Sequence, residues 1–167
     1  MKRYCFAASL ALAVLAVLSL AGPVAAGEQL PFKGSLEGDV TITPLAPPFV
    51  SVLVEGTGRA THLGKFTFDF PHVVNRATMS GIGSYHFVAA NGDTLTADAM
   101  GQATLVAPGV LAIVETATIT GGTGRFRGAT GTFTVERLFD TVAGTTAGSF
   151  KGTIRLRGDD DDDDDDD

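Results

Sequence analysis

The chain has 167 residues, one cysteine and a formal net charge of −7 at pH 7. The negative excess lies outside the central part of the chain, since residues 27–158 include ten basic and ten acidic residues. A neutral body gives no support to nucleic-acid binding, and a single cysteine excludes a framework of internal disulfides. We therefore expect the hydrophobic core and the backbone hydrogen bonds to supply the stability.

Residues 1–26 have the pattern of a secretory signal peptide. Lys2 and Arg3 precede an apolar run, which ends in the small-residue sequence VAA just before Gly27. This is the order of a basic region, a hydrophobic region and a cleavage site. We expect cleavage before Gly27, loss of Cys5, a secreted or periplasmic location and no membrane contact afterwards. An uncleaved anchor is the alternative, because the run is long enough to span a bilayer.

Between the signal peptide and the C-terminal acidic run, apolar and polar residues alternate with period two, which predicts half-buried β-strands. In the first part of the chain, the residues predicted to face inward are Phe32, Gly34, Leu36, Gly38, Val40 and Ile42, then Val50, Val52, Val54, Gly56, Gly58 and Ala60, then Phe66, Phe68 and Phe70. The stretch ATMSGIGSYHFVA is a further strand whose faces the pattern leaves open. Asn-Gly at 91–92 then indicates a tight hairpin turn.

The second half continues the alternation. The residues that share one face of each strand are Leu95, Ala97, Ala99, Gly101, Ala103 and Leu105, then Leu111, Ile113, Glu115, Ala117 and Ile119, then Phe133, Val135, Arg137 and Phe139, and finally Phe150, Gly152, Ile154 and Leu156. Eight strands with glycine or proline turns are typical of a sandwich or barrel. Glycines on the apolar faces favour a barrel, because strongly coiled strands need points where the backbone bends.

We therefore predict an all-β, eight-stranded antiparallel β-barrel of calycin-like architecture over residues 27–158. A barrel of this size is either filled by side chains or holds one small ligand. Because several inward faces carry only glycine and alanine, we expect a partial, apolar cavity in the lumen.

The stretch GGTGRFRGATGTF, residues 121–133, has five glycines and two arginines and invites comparison with phosphate-binding loops. Such loops lead into a helix, whose N-terminus supplies the N–H groups that hold the anion. Here a period-two strand follows instead, and the lysine of a P-loop is missing. The pattern therefore indicates a connection between strands, with Phe126 packed against one end of the core.

This stretch resembles the signature of plant dirigent proteins and the equivalent turn of allene oxide cyclases, and NGDTLTADAMGQA resembles the preceding hairpin strand of dirigent proteins. The matching loop positions are Gly121, Gly122, Thr123, Gly124, Phe126 and Gly128. The sequence also resembles bacterial secreted members of this superfamily. The resemblance implies an eight-stranded antiparallel barrel that is often trimeric and encloses an apolar cavity. Thr130 stands where the dirigent motif has arginine, and no pocket residue of these families is carried over.

Two charged residues, Glu115 and Arg137, interrupt the apolar alternation. If their strands pair across the glycine-rich connection, the two side chains lie roughly opposite each other. Inside the barrel, such a pair needs mutual hydrogen bonding to offset the cost of burial, and it would orient a polar group on a ligand. The other interpretation is that these faces turn outward and that the two residues form an ordinary exposed ion pair. The sequence favours this interpretation, because surface ion pairs are common and alternation does not say which face is inside.

The remaining residues give no sign of a metal site or a catalytic nucleophile. His62, His72 and His86 show no metal-ligand spacing, and no G-x-S-x-G nucleophile elbow occurs. We expect no cofactor. Residues 159–167 are nine consecutive aspartates, which predicts a disordered tail. Three interpretations of this tail stay open: a solubilising segment, a weak Ca²⁺ or mineral binder with Asp159, Asp160 and Asp161 as hard oxygen ligands, or a coding repeat without a selected role.

Three functions follow from these observations. The first is a secreted barrel that binds a small apolar ligand or acts through an oligomer surface, such as that of a homotrimer, without catalysis. The second is an isomerase or cyclase for a lipid-like or phenolic substrate, as allene oxide cyclases are. The third is a structural or matrix protein with a cation-binding tail.

Overall fold

The computed structural model describes residues 28–157, which form a closed barrel of eight antiparallel strands. Each strand pairs with the next, and β8 pairs with β1 to close the barrel. The strands are β1 (Gln29–Pro44), β2 (Phe49–Ala60), β3 (Gly64–Asn75), β4 (Ser80–Ala89), β5 (Thr94–Ala107), β6 (Val110–Gly122), β7 (Thr130–Asp140) and β8 (Thr145–Arg155). The predicted eight-stranded antiparallel barrel is confirmed.

One turn of 3-10 helix, Gly124–Phe126, lies between β6 and β7. Within residues 28–157, no helix has the length and apolar character needed to cross a membrane. The predicted signal peptide and the aspartate tail lie outside the described residues, so both remain predictions.

The predicted inward faces are the buried faces of the strands. Alternation is clearest in β7, where Phe133, Val135, Arg137 and Phe139 are buried and their neighbours are more exposed. In β4, whose faces the sequence left open, Tyr85 and Phe87 point inward with almost no exposure. Gly83 lies on the same face of β4 and pairs with inward-facing His72 of β3. The strand β4 therefore follows the same period-two alternation as its neighbour.

The two ends of the barrel differ. The closed end is the end that carries the β2–β3, β4–β5 and β6–β7 connections. Leu63, Leu95 and Phe126 are buried there. The open end is the end that carries the β1–β2, β3–β4, β5–β6 and β7–β8 connections. There solvent reaches some inward-facing positions, such as Ile42 and Leu105, which are 45% and 67% exposed, whereas Val50 and Phe139 are buried.

Toward the closed end, aromatic rings fill the lumen. Phe66 of β3 contacts Phe150 of β8 across the barrel, with ring centroids 6.3 Å apart, and Phe87 contacts Phe133 at 6.2 Å. We call this group the aromatic core; its members are Phe32, Phe66, Phe68, Phe87, Phe133 and Phe150.

The small inward-facing residues make room for these rings. Gly58 pairs with Phe66, and Gly56 pairs with Phe68 on the neighbouring strand. A Cβ atom at either glycine would collide with the paired ring. The phenylalanine rings therefore fill the space beside these glycines. The expected cavity is not found in this part of the lumen.

Candidate binding site at the open end of the barrel

Glu115 and Arg137 form a buried ion pair between β6 and β7. Glu115 is directly opposite Val135, and Arg137 is opposite Ile113, so the two charged residues are diagonal neighbours on the inner face. Arg137 Nη2 donates to Glu115 Oε1 at 2.7 Å, and Arg137 Nε donates to Oε2 at 3.0 Å. The residues are 4% and 5% exposed, which excludes the exposed ion pair that the sequence left as an alternative.

Two further side chains complete the hydrogen bonding of this pair. Tyr85 Oη donates to Glu115 Oε2 at 2.6 Å. Arg137 Nη1 donates to Thr146 Oγ1 at 3.2 Å, and Thr146 in turn donates to the Leu138 carbonyl at 2.7 Å. Among the described residues, no buried side-chain nitrogen or oxygen lacks a partner. Such complete pairing is what a buried ion pair needs, because unpaired buried charges cost several kcal/mol.

Burial and the ion pair set the protonation states of Tyr85 and Arg137. Burial raises the pKa of Tyr85 well above its ordinary value of 10.0, and the Glu115 carboxylate raises this pKa further. The tyrosine therefore stays protonated and donates. Burial alone would lower the pKa of Arg137, but the hydrogen bonds and charge of Glu115 outweigh burial and raise this pKa.

His72 lies beside this network in a stack of rings. Phe70 is sandwiched between His72, at 4.2 Å between ring centroids, and Tyr85, at 3.9 Å. His72 Nδ1 is 3.0 Å from the Phe70 carbonyl oxygen. Because a carbonyl oxygen only accepts, Nδ1 carries the proton in the neutral ring, and Nε2 is then an acceptor.

The pKa of His72 is lower than its ordinary value of 6.5, mainly because burial disfavours the charged ring. The bond to the Phe70 carbonyl opposes this shift, and the nearby Arg137 charge adds to it. His72 is therefore neutral at pH 7.

We call these five residues, His72, Tyr85, Glu115, Arg137 and Thr146, the polar cluster. Inward-facing glycines on neighbouring strands give its larger side chains their space. A Cβ atom at Gly83, Gly101 or Gly148 would collide with His72, Glu115 or Arg137, respectively. Inward-facing glycines thus make room for phenylalanine rings toward the closed end and for charged and polar side chains nearer the open end.

Between the polar cluster and solvent, the inner wall is apolar. Val74, Ala103, Leu111 and Ile113 face inward and are partly exposed. A molecule at this opening would meet aliphatic side chains first and polar groups at the base, the common composition of small-molecule sites.

Sequence reasoning found Glu115 and Arg137 but missed His72, Tyr85 and Thr146. The spacing of the histidines gave no reason to place His72 at a site. Continuing the alternation from Phe70 to His72, and from Phe150 back to Thr146, would have placed both on the inner face. No local pattern links them to Glu115, because the strands that hold them are remote in sequence.

The glycine-rich connection lies across the closed end of the barrel. Thr123 Oγ1 accepts from the Thr94 N–H at 3.0 Å, and the Thr123 N–H donates to the Thr94 carbonyl at 2.9 Å. The Arg125 N–H donates to the Asp93 carboxylate at 3.3 Å. This connection is therefore fastened to the β4–β5 turn, and the two motifs singled out in the sequence contact each other.

The glycines of the connection serve this geometry. Positive φ angles at Gly121, Gly124 and Gly128, of 139°, 54° and 66°, are ones that residues with a Cβ rarely adopt. Gly122 lies so close to the Thr94 carbonyl that a Cβ would overlap it. Phe126 is fully buried at the closed end, as the sequence predicted.

Among the described residues, no group of three or more His, Cys, Asp or Glu side chains is arranged to hold a metal ion. His86 pairs with Asp69 on the outer surface at 2.7 Å, with both side chains about half exposed. The proposed calcium ligands Asp159, Asp160 and Asp161 lie outside the described residues.

No known family profile matches the sequence, and no curated protein matches it significantly. Among solved structures, the pterocarpan synthase dirigent protein GePTS1 is similar, with a TM-score of 0.57 and 14% sequence identity. The match covers 88% of this chain and 100% of the other. At this identity the likeness concerns the fold alone, and this chain has the fold of a dirigent-like β-barrel.

Proposed function

We propose that this protein is an exported, non-catalytic binding protein for a small, mainly apolar molecule. The ligand enters the barrel at the open end and directs a hydrogen-bond donor, such as a hydroxyl group, toward the polar cluster. The observation that carries this proposal is a buried, fully paired ion pair with partly exposed aliphatic side chains on its open-end side.

The donor on the ligand follows from the hydrogen bonds already made in the polar cluster. Glu115 accepts from Arg137 and Tyr85, and Thr146 donates to a backbone carbonyl. The Nε2 atom of neutral His72 is an acceptor that the described residues leave available. A ligand that offers a donor satisfies it, whereas a purely apolar ligand does not.

The experiment compares 1-naphthol with naphthalene, which have the same ring system but differ by one hydroxyl group. We expect the wild type to bind both and to prefer 1-naphthol. We expect His72→Phe to reduce that preference by about three- to tenfold, the effect of a net hydrogen bond of about 0.5–1.5 kcal/mol. Fluorescence titration measures both affinities.

A matched pair of variants tests where the ligand enters. Ala103 and Thr104 are adjacent in β5, but Ala103 faces the opening and Thr104 faces outward. We expect Ala103→Phe to weaken naphthalene binding at least about tenfold, because the ring occludes the opening, and Thr104→Phe to leave it unchanged. Absence of binding to the folded wild type, or equal effects of the two variants, would refute this site.

Catalysis by an isomerase or cyclase is the second candidate, and His72 favours it. A neutral imidazole with a free ring nitrogen at the base of an apolar site can act as a general base. If this is the function, His72→Gln abolishes turnover of a lipid-like or phenolic substrate while naphthalene binding persists.

Self-association is a further proposal, which the outer surface supports. Val73, Ile82 and Met100 are direct neighbours on β3, β4 and β5, face outward and are exposed. A contiguous apolar row of this kind suits an interface between copies of the chain, such as that of a homotrimer. Sedimentation velocity of the wild type and of Ile82→Lys tests whether this row holds an oligomer together.

A further inference from the structure

The outer surface near the closed end carries an unusual concentration of positive charge. On adjacent strands, Lys33 lies directly opposite Lys151, and Arg59 lies directly opposite Lys65. Like charges in directly opposed positions destabilise a sheet. In the described part of the chain, the salt bridges are those of Glu115 with Arg137 and Asp69 with His86, so none of these four cations has a carboxylate partner.

Three of these cations share a groove. Lys33, Arg59 and Lys151 line it, and no carboxylate does; the hydroxyls of Ser35, Thr61 and Ser149 complete its polar lining. Lys65 and Arg59 border the adjoining depression, which Glu37 also lines. We call Lys33, Arg59, Lys65 and Lys151 the basic groove. It has the features of an anion site whose anion is not among residues 28–157.

Negative charge is displaced toward the middle and the open end of the same surface. Asp39, Glu55 and Asp69 are consecutive direct neighbours across β1, β2 and β3. The neutral body is thus strongly polarised along the barrel axis, and a flexible polyanion would be attracted to one end and repelled from the other.

We propose that residues 159–167, the nine consecutive aspartates, bind in the basic groove of the same chain. Strand β8 ends at Arg155 at the closed end, beside the groove, and the aspartates begin four residues later. Lys151 is four residues before that strand end, about 13 Å along the strand. Nine residues reach up to about 30 Å when extended, so the acidic segment is long enough to follow the groove.

The contact is electrostatic and needs no fixed structure in the tail. It relieves the repulsion between opposed lysines and arginines, and it occupies a surface that would otherwise attract other polyanions. The proposal does not depend on the ligand site at the open end, which lies at the other end of the barrel.

Carbodiimide cross-linking of the full chain tests this contact with native residues. The reagent joins lysines to carboxylates in direct contact, and the three lysines of the described chain, Lys33, Lys65 and Lys151, all belong to the basic groove. Trypsin cleavage after Arg157 releases the aspartates, so a cross-linked peptide identifies its lysine by mass spectrometry. The variant Arg76→Lys supplies a control lysine in the β3–β4 connection at the open end.

We expect cross-links from the aspartates to Lys33 and Lys151 at about 10 mM salt and at least a fivefold loss at about 1 M, where the screening length falls from about 30 Å to 3 Å. An equimolar mixture of heavy- and light-isotope chains should give only same-isotope products. Absence of these cross-links at low salt, equal cross-linking in Arg76→Lys at the control site, or products joining heavy to light chains would each overturn the proposal.

Discussion

At the scale of single residues, the ion pair of Glu115 and Arg137 shows how burial changes the contribution of a charged side chain to stability. Each partner is unfavourable inside the barrel without the other, and Tyr85 and Thr146 satisfy the remaining hydrogen bonds. Removing one partner leaves a buried charge without its counter-ion, whereas removing both leaves an ordinary packing problem.

Replacement of Arg137 by Met should therefore lower the free energy of unfolding by about 3–5 kcal/mol. The double variant Glu115→Leu with Arg137→Met should lose less than Arg137→Met alone. Urea unfolding of the two variants measures the difference. Asp69→Asn, which removes a half-exposed ion pair with His86, is the control and should cost less than about 1 kcal/mol. Equal losses in the single and double variants would contradict the account.

The lowered pKa of His72 predicts a loss of stability in acid. In the unfolded chain this residue takes up a proton near pH 6.5, but in the fold it does so only at lower pH, chiefly because of burial. Between these two values the unfolded chain binds more protons, so the free energy of unfolding falls as the pH falls below about 6.5. This contribution is fully present above that pH.

Unfolding in urea at pH 7.5 and pH 5.0 checks this prediction. We expect the acid-induced loss to be smaller in His72→Phe than in the wild type, because phenylalanine does not titrate. His86→Gln, which removes a half-exposed histidine on the outer surface, is the control. The same acid-induced loss in His72→Phe and wild type would show that His72 is not the group responsible.

At the scale of strands, inward-facing glycines decide what the lumen contains. Several of these glycines pack against a large side chain on a neighbouring strand. Gly56 and Gly58 pack against phenylalanines toward the closed end, and Gly83, Gly101 and Gly148 pack against members of the polar cluster nearer the open end. Strand propensity alone disfavours glycine, so close packing accounts for its repeated use. The tightness of that packing differs from glycine to glycine.

Gly58→Ala and Gly81→Ala form a matched pair for this effect. A Cβ at Gly58 would collide with the Phe66 ring and the Ser35 carbonyl, whereas one at Gly81 would make ordinary contacts at 3.5 Å with His72 and Val74. We expect Gly58→Ala to destabilise the barrel by about 1–3 kcal/mol through overpacking. Gly81→Ala should be neutral or slightly stabilising, because alanine restricts the unfolded chain. Thermal unfolding distinguishes them, and similar losses would count against the packing explanation.

At the scale of the whole molecule, the two ends of the barrel have different chemistry. The closed end is packed inside by Leu63, Leu95 and Phe126 and is positively charged outside. The open end has an apolar opening above the polar cluster. This asymmetry separates the proposed ligand site from the proposed binding site of the aspartates.

Deleting residues 159–167 should therefore have a small effect on stability that depends on salt. At about 10 mM salt we expect the melting temperature to fall by a few degrees, because opposed cations in the basic groove lose a counter-charge worth about 0.2–1 kcal/mol. At about 1 M salt we expect no difference, since exposed charges are screened. Calorimetry at both salt concentrations measures this. A large loss at both would show that the tail contributes packing instead of charge.

The sequence by itself determined the class of fold and the inner face of most strands. Period-two alternation survives in a single sequence because each strand buries one side, so residues such as Phe133 and Val135 identify their own orientation. The glycine-rich stretch likewise excluded a phosphate loop, because the strand that follows it is visible in the same pattern. The inward positions of Glu115 and Arg137 were among the two alternatives that the pattern allowed.

Only the tertiary structure decided how these faces meet. Whether Glu115 and Arg137 are buried depends on barrel closure, which joins β8 to β1 and encloses both. Tyr85 and His72 join the pair through contacts between β3, β4, β6 and β7, and residues far apart in sequence leave no local pattern. The prediction of a cavity was wrong toward the closed end for the same reason. A strand face that carries glycines can border an empty space or a ring from the neighbouring strand, and only the pairing register distinguishes the two.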